Sequence, residues 1–209
     1  MSSSRLALVS FVIGLGSIGH ATAAPCLTAS LSTYQSMGAV ACSVGTLNFS
    51  GFSVESFPGP TAQQIASSST LVTPIANGLS LSSVLPISAS PGQLFGLRFL
   101  FDVGAPSLIG ATAALGAQNG VNGDGAITAF LDAGSVGNAI AIAIDGLSDT
   151  PVSFASLPVS SYSAFLELGI DGGTFGSASL GPTLASLTFA QSPVPEPGTM
   201  ALSLLALAA

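Results

Sequence analysis

Phe95, Leu97, Phe99, Phe101 and Val103 occupy every second position of one stretch, with Gly96, Arg98, Leu100 and Asp102 between them. Successive side chains of a strand point to opposite faces, so this run puts its large apolar groups on one side. A helix would scatter the same residues around its whole circumference. Gln93–Val103 is therefore expected to be a central strand laid against the core.

The rest of the chain repeats that pattern in shorter pieces. Leu47 and Phe49 alternate, and Phe52 and Val54 resume one residue late across Gly51, which predicts a bulge. Further runs are Leu79–Leu81, Ser107–Gly116, Ala126–Asp132, Asn138–Asp145, Val152–Phe154, Tyr162–Ile170, Thr174–Leu180 and Leu184–Ala190. In 138–145 isoleucines alternate with alanines, which suits a strand covered on both faces. Val152–Phe154 lies between Pro151 and Pro158 and is expected at an edge. Asn119-Gly-Val-Asn-Gly-Asp-Gly125 supplies the residues of a tight hairpin turn. About nine or ten short strands without crossover helices specify an all-β fold, an antiparallel β-sandwich. Ala111–Ala117 tolerates a helix, but its glycines and β-branched neighbours weigh against one.

Both ends depart from the body. The first 23 residues have the order of a secretory signal: Arg5, an apolar Leu6–Leu15, then Ala21-Thr22-Ala23. Cleavage is expected between Ala23 and Ala24, with signal peptidase and the secretion machinery as partners. The apolar run is too short for the roughly 20 residues of a membrane span. Two cysteines then remain, Cys26 and Cys42. An even count in an exported chain predicts a disulfide, closing a loop of about 17 residues. At the other end Pro193, Pro195 and Pro197 exclude both helix and central strand, so Ser192–Glu196 is expected to be an extended strut. The domain order is thus 1–23 signal, 24–191 β-sandwich and 192–209 tail.

Val194-Pro195-Glu196-Pro197-Gly198, followed by the apolar Met200–Ala209, resembles the sorting signal of PEP-CTERM proteins. Cys42–Phe52, Leu168–Ala178 and Thr188–Ser192 are similar to stretches of many passenger domains of that family. The resemblance implies a Gram-negative exported protein whose tail is recognised by exosortase, a membrane protease-transpeptidase. It implies transient anchoring in the inner membrane, then the cell surface or matrix, with glycosylation and exopolysaccharide contact. It implies no activity for the passenger domain. The apolar tail is about 15 Å as a helix, against about 30 Å of hydrocarbon, and no Arg or Lys follows. The signal is read as truncated.

Little catalytic chemistry is left. Charged residues are 5% of the chain, with two Lys+Arg against nine Asp+Glu, which argues against nucleic acid as a partner. The single histidine, His20, precedes the expected cut, so no Ser-His-Asp, Cys-His or His-ligated zinc arrangement is expected. Glu55 and Glu167 could pair as glycosidase carboxylates, but there is no tryptophan and only two tyrosines to line a cleft. No catalytic residue and no cofactor is expected. Asn122 and Asp124 are similar to the N-x-D-G core of a calcium loop, but Gly120 and Leu131 stand where its two essential anions belong. Arg98, the one cation after the cut, is expected to pair across strands with Glu167 or Asp132. The composite expectation is a non-enzymatic exported protein. Its alternative is a surface module binding calcium or a glycan through the Asn119–Asp124 loop.

Overall fold

A computed structural model describes residues 23–59, 61–145, 147 and 151–193. The chain runs through β1 (Ala24–Pro25), β2 (Ala29–Ser30), α1 (Leu31–Met37), β3 (Cys42–Val44), β4 (Leu47–Glu55) and β5 (Gln63–Gln64). It continues with β6 (Thr70–Ile75), β7 (Gly78–Ser83), β8 (Ile87–Ala89), β9 (Leu94–Leu115), β10 (Asn119–Asn122) and β11 (Ala126–Asp132). The last strands are β12 (Asn138–Ile144), β13 (Ser153–Asp171), β14 (Ser177–Leu180) and β15 (Thr183–Gln191). The fold is all-β and sandwich-like. A curled twelve-stranded sheet carries all but β8, β10 and β14, which form a second sheet.

The organising unit is the antiparallel pair of β9 and β13, aligned from Ser153↔Thr112 to Asp171↔Leu94. Beyond it, β4 pairs with β9 between Arg98 and Gly104, and β15 pairs with it between Leu108 and Leu115. One long strand therefore serves two sets of neighbours. Gln93–Val103 and Ser107–Gly116 are expected to be separate strands, as are Val152–Phe154 and Tyr162–Ile170; each pair is one continuous strand. Pro106 and Pro158 each remove one donor, and the register is irregular around Val159, so the ladder lapses locally without ending. Pairing is antiparallel except where the two-residue β1 meets β3 and the two-residue β5 meets β9.

The alternation in β9 does what its spacing predicts. Leu97, Phe99, Phe101 and Val103 are buried, while Arg98, Leu100 and Asp102 reach the outer side. The rings form a connected core. Tyr34 meets Phe52 edge-on at 4.9 Å, Phe52 stacks on Phe99 at 6.1 Å, and Phe99 leans on Phe101 at 5.2 Å. Phe189 closes the cluster against Phe49 at 5.6 Å. Such contacts add to the burial of large rings, the main favourable contribution to folding.

Three details differ from the sequence reading. Helix α1 is not foreseen, because seven residues are too few to show a 3.6-residue period. Its marks are local: Ser30 Oγ accepts the Thr33 N–H at 3.1 Å, and only Leu31 and Tyr34 are buried. Strand β12 is covered on one face, not two. Ala139, Ala141 and Ala143 are buried, while Ile142 and Ile144 are 36% and 40% exposed. The small alanine face is turned to the core and the isoleucine face lies on the outer side of the sheet. Finally, 119–125 is not a hairpin. β10 pairs with β14 in the second sheet, and the turn at Gly123-Asp124 passes the chain to β11 in the first.

Cys26 and Cys42 are joined, with Cα atoms 4.8 Å apart across a sequence separation of 16. The bond holds the segment after β1 against β3 beside α1. Among the described residues no helix is long and apolar enough to cross a membrane.

Candidate functional site

The outer face of the branch β12–β11–β13–β9–β4 collects most of the charged groups in the body. Register places them in rows. Ile140, Phe130, Glu167, Arg98 and Glu55 lie side by side across the five strands. The next row is Asn138, Asp132, Phe165, Leu100 and Ser53. Beyond it come Ser163, Asp102 and Ser50, then Ser161, Gly104 and Asn48.

Arg98 is opposite Glu167, as expected, but its ion pair is with Glu55 on the other side. Arg98 Nε lies 3.4 Å from Glu55 Oε2, an ion pair by distance without hydrogen-bond alignment. The guanidinium instead stacks over Phe165, 4.2 Å from the ring centroid. A guanidinium prefers a flat aromatic face, which an alternation pattern cannot show. With Arg98 and Glu55 side chains 28% and 54% exposed, the pair contributes under about 1 kcal/mol. Glu55 and Glu167 thus flank a cation rather than an open cleft.

Asp102 sits where β4 bulges. Gly51 has φ +66°, and a Cβ there would collide with Asp102 Oδ2. The missing side chain is the space the carboxylate occupies, so the bulge read in the sequence also shapes a polar site. Ser163 Oγ donates to Asp102 Oδ1 at 2.5 Å, and the Gly134 N–H donates to Asp132 Oδ1 at 2.6 Å. At the opposite end, one row beyond Arg98, the Phe57 ring covers Gly96, where a Cβ would strike it. Phe57 and Gly51 are the features here that sequence reasoning left without a partner.

The loop residues Asn122 and Asp124 lie elsewhere, at the junction of the two sheets, and both are exposed. The carboxylate of Asp124 accepts the N–H groups of Thr174 at 2.8 Å and Phe175 at 2.9 Å. Asp145 accepts from the Gly123 N–H at 3.2 Å. Asp124 is a cross-link between two loops. Among the described residues no group of three His, Cys, Asp or Glu side chains is placed to hold a metal ion.

The amides of Phe175 and Thr174 hold the Asp124 carboxyl below its ordinary pKa. A lowered folded-state value means a contribution present above the unfolded value of about 3.9 and lost as pH falls through the folded one. The group is fully exposed, so the effect is local. The Thr174 and Phe175 amide resonances should shift in a single titration with a midpoint below about 3.9, absent in Asp124→Asn. A midpoint at or above that value contradicts the arrangement. In the core, burial pushes the Tyr162 and Tyr34 hydroxyls upward.

Ala23 and Ala24 are at the start of the described chain, where Ser43 Oγ donates to the Ala23 carbonyl at 3.1 Å. Val194, Pro195, Glu196, Pro197 and Gly198 lie outside the described residues, as does the segment up to Thr22. No protein-family model matches the sequence, and no curated protein matches it. Among solved structures the chain is similar to that of TmCBM61 in complex with β-1,4-galactotriose. The TM-score is 0.33 and the identity 7%, over 55% of this chain and 71% of that one. A likeness at this level identifies neither a family nor a ligand.

Proposed function

We propose that this chain is an exported, non-enzymatic protein of the cell surface or extracellular matrix, sorted by an exosortase through Val194–Gly198. The observation that carries it is the tail: three prolines and one glutamate between the folded body and an apolar run. The described structure supports the boundary on the near side. Strand β15 ends at Gln191, and the Ser192 N–H donates to the Ser107 carbonyl at 3.0 Å. Pro193, Pro195 and Pro197 each fix one backbone dihedral, and a segment with fewer conformations to lose gives up less entropy when an enzyme holds it. Glu196 supplies the charge beside the apolar run. The signal-like first 23 residues and the Cys26–Cys42 bond fit export to an oxidising compartment. The non-enzymatic part rests on composition, since Arg98 is the one cation, and no histidine remains, after the expected cut.

The test is processing of the full-length gene product in a host that carries an exosortase. Pro195→Ala and Glu196→Ala should each leave a larger, membrane-retained form. Maturation of both at the wild-type rate would overturn the sorting assignment.

A further inference from the structure

We infer that the trench around Asp102 and Phe165 binds a hydroxyl-rich saccharide chain that carries no acid group. This adds a ligand site to the surface-protein reading and does not depend on how the tail is processed. Two hollows on the outer face, of about 380 and 370 Å3, share Asp102 and Ser163 and so lie end to end along one trench, with that hydrogen-bonded pair at their boundary. The first reaches from Ser53 on β4 past Leu100 and Phe165 to Asp132 on β11. Three strand spacings make that about 14 Å, longer than one sugar ring. The second continues between Asn48, Ser50 and Ser161. The trench is shallow and open, so it suits a chain lying along it and not a small molecule enclosed on all sides.

Its chemistry selects the class. Carboxylates, serine hydroxyls and an asparagine amide offer acceptors for ligand hydroxyls, while Leu100 and the part of the Phe165 ring that Arg98 leaves uncovered offer apolar surface to the C–H side of a sugar. Anionic chains are excluded, because Asp102 and Asp132 line the trench and the one cation on this face, Arg98, is engaged by Glu55 and Phe165. The groups are held in advance. Ser163 orients Asp102, the Gly134 amide orients Asp132, and Arg98 lies over Phe165. Asp102 Oδ2, above Gly51, keeps capacity to accept from a ligand. Side chains fixed before binding lose little entropy on binding.

The test is affinity electrophoresis of the folded exported chain in native gels. One arm contains mixed-linkage β-glucan, galactomannan, xylan or dextran; a second contains glycol chitosan; polygalacturonate is the acidic control. Retardation is expected in at least one non-acidic gel and not in polygalacturonate, the arms separating uncharged from amine-bearing chains. Phe165→Ala and Asp102→Ala should each weaken it about tenfold or more, the loss expected of a central contact. Gly51→Ala should act in the same direction by displacing the carboxylate, with Asp102→Asn, which keeps the shape, as the check if that variant fails to fold. No retardation in any non-acidic gel, equal retardation in polygalacturonate, or retardation that survives in both Phe165→Ala and Asp102→Ala would overturn the assignment.

Discussion

Phe99→Ala is expected to destabilise the protein by about 3–5 kcal/mol, the usual cost of truncating a fully buried ring. Phe99 is 0% exposed and joins two parts of the core, stacking on Phe52 of β4 at 6.1 Å and leaning on Phe101 at 5.2 Å. Its removal leaves a hole in the middle of β9, where neighbours on both sides are pinned by the ladder and cannot collapse inward. For a chain of this size the melting temperature should fall by roughly 6–20 °C. Phe165→Ala, in the same sheet but on the outer face, should cost about 1 kcal/mol or less. Thermal melts followed by circular dichroism compare the two. Equal shifts would mean that the two faces of the sheet are not distinguished as core and surface.

Loss of the Cys26–Cys42 bond is expected to cost about 3 kcal/mol, the chain-entropy value for a loop of this length. The closed loop contains α1, and its far end is the start of β3. Without the bond, β1 keeps a two-residue parallel pairing with β3, through Ala24↔Cys42 and Pro25↔Ser43, and hydrogen bonds from the Cys26 N–H and to the Ala23 carbonyl, all on the short segment Cys42–Val44. A Cys26→Ala/Cys42→Ala double variant should melt roughly 6–12 °C lower, with early loss of protection at Ala24–Met37 in hydrogen exchange. Exported wild-type protein should show no free thiol under denaturing conditions. Two titratable thiols, or a melting point indifferent to reduction, would contradict the bond's role. Protection in β9 should change little until global unfolding, because β4, β13 and β15 hold that strand independently of the loop.

Sequence alone determined the all-β class, the face of β9 that is buried, the bulge at Gly51 and the pairing of the two cysteines. Each is local or compositional. A period of two records which side of a strand avoids water, a one-residue slip at a glycine records an unpaired residue, and two cysteines in an exported chain have one partner each. Tertiary structure decided the rest, because the rest depends on which strands become neighbours. Alternation shows that Arg98 and Asp102 share a face, but only the order β13–β9–β4 sets Glu55 beside Arg98 and Gly51 beneath Asp102. The covering of β12 on its alanine face alone follows from which elements pack over the sheet, which no residue of 138–144 encodes. Asp124 reads as a turn residue from its neighbours, yet its carboxylate is taken by amides fifty residues away. Long-range pairing brings those groups together, and residue spacing carries no record of it.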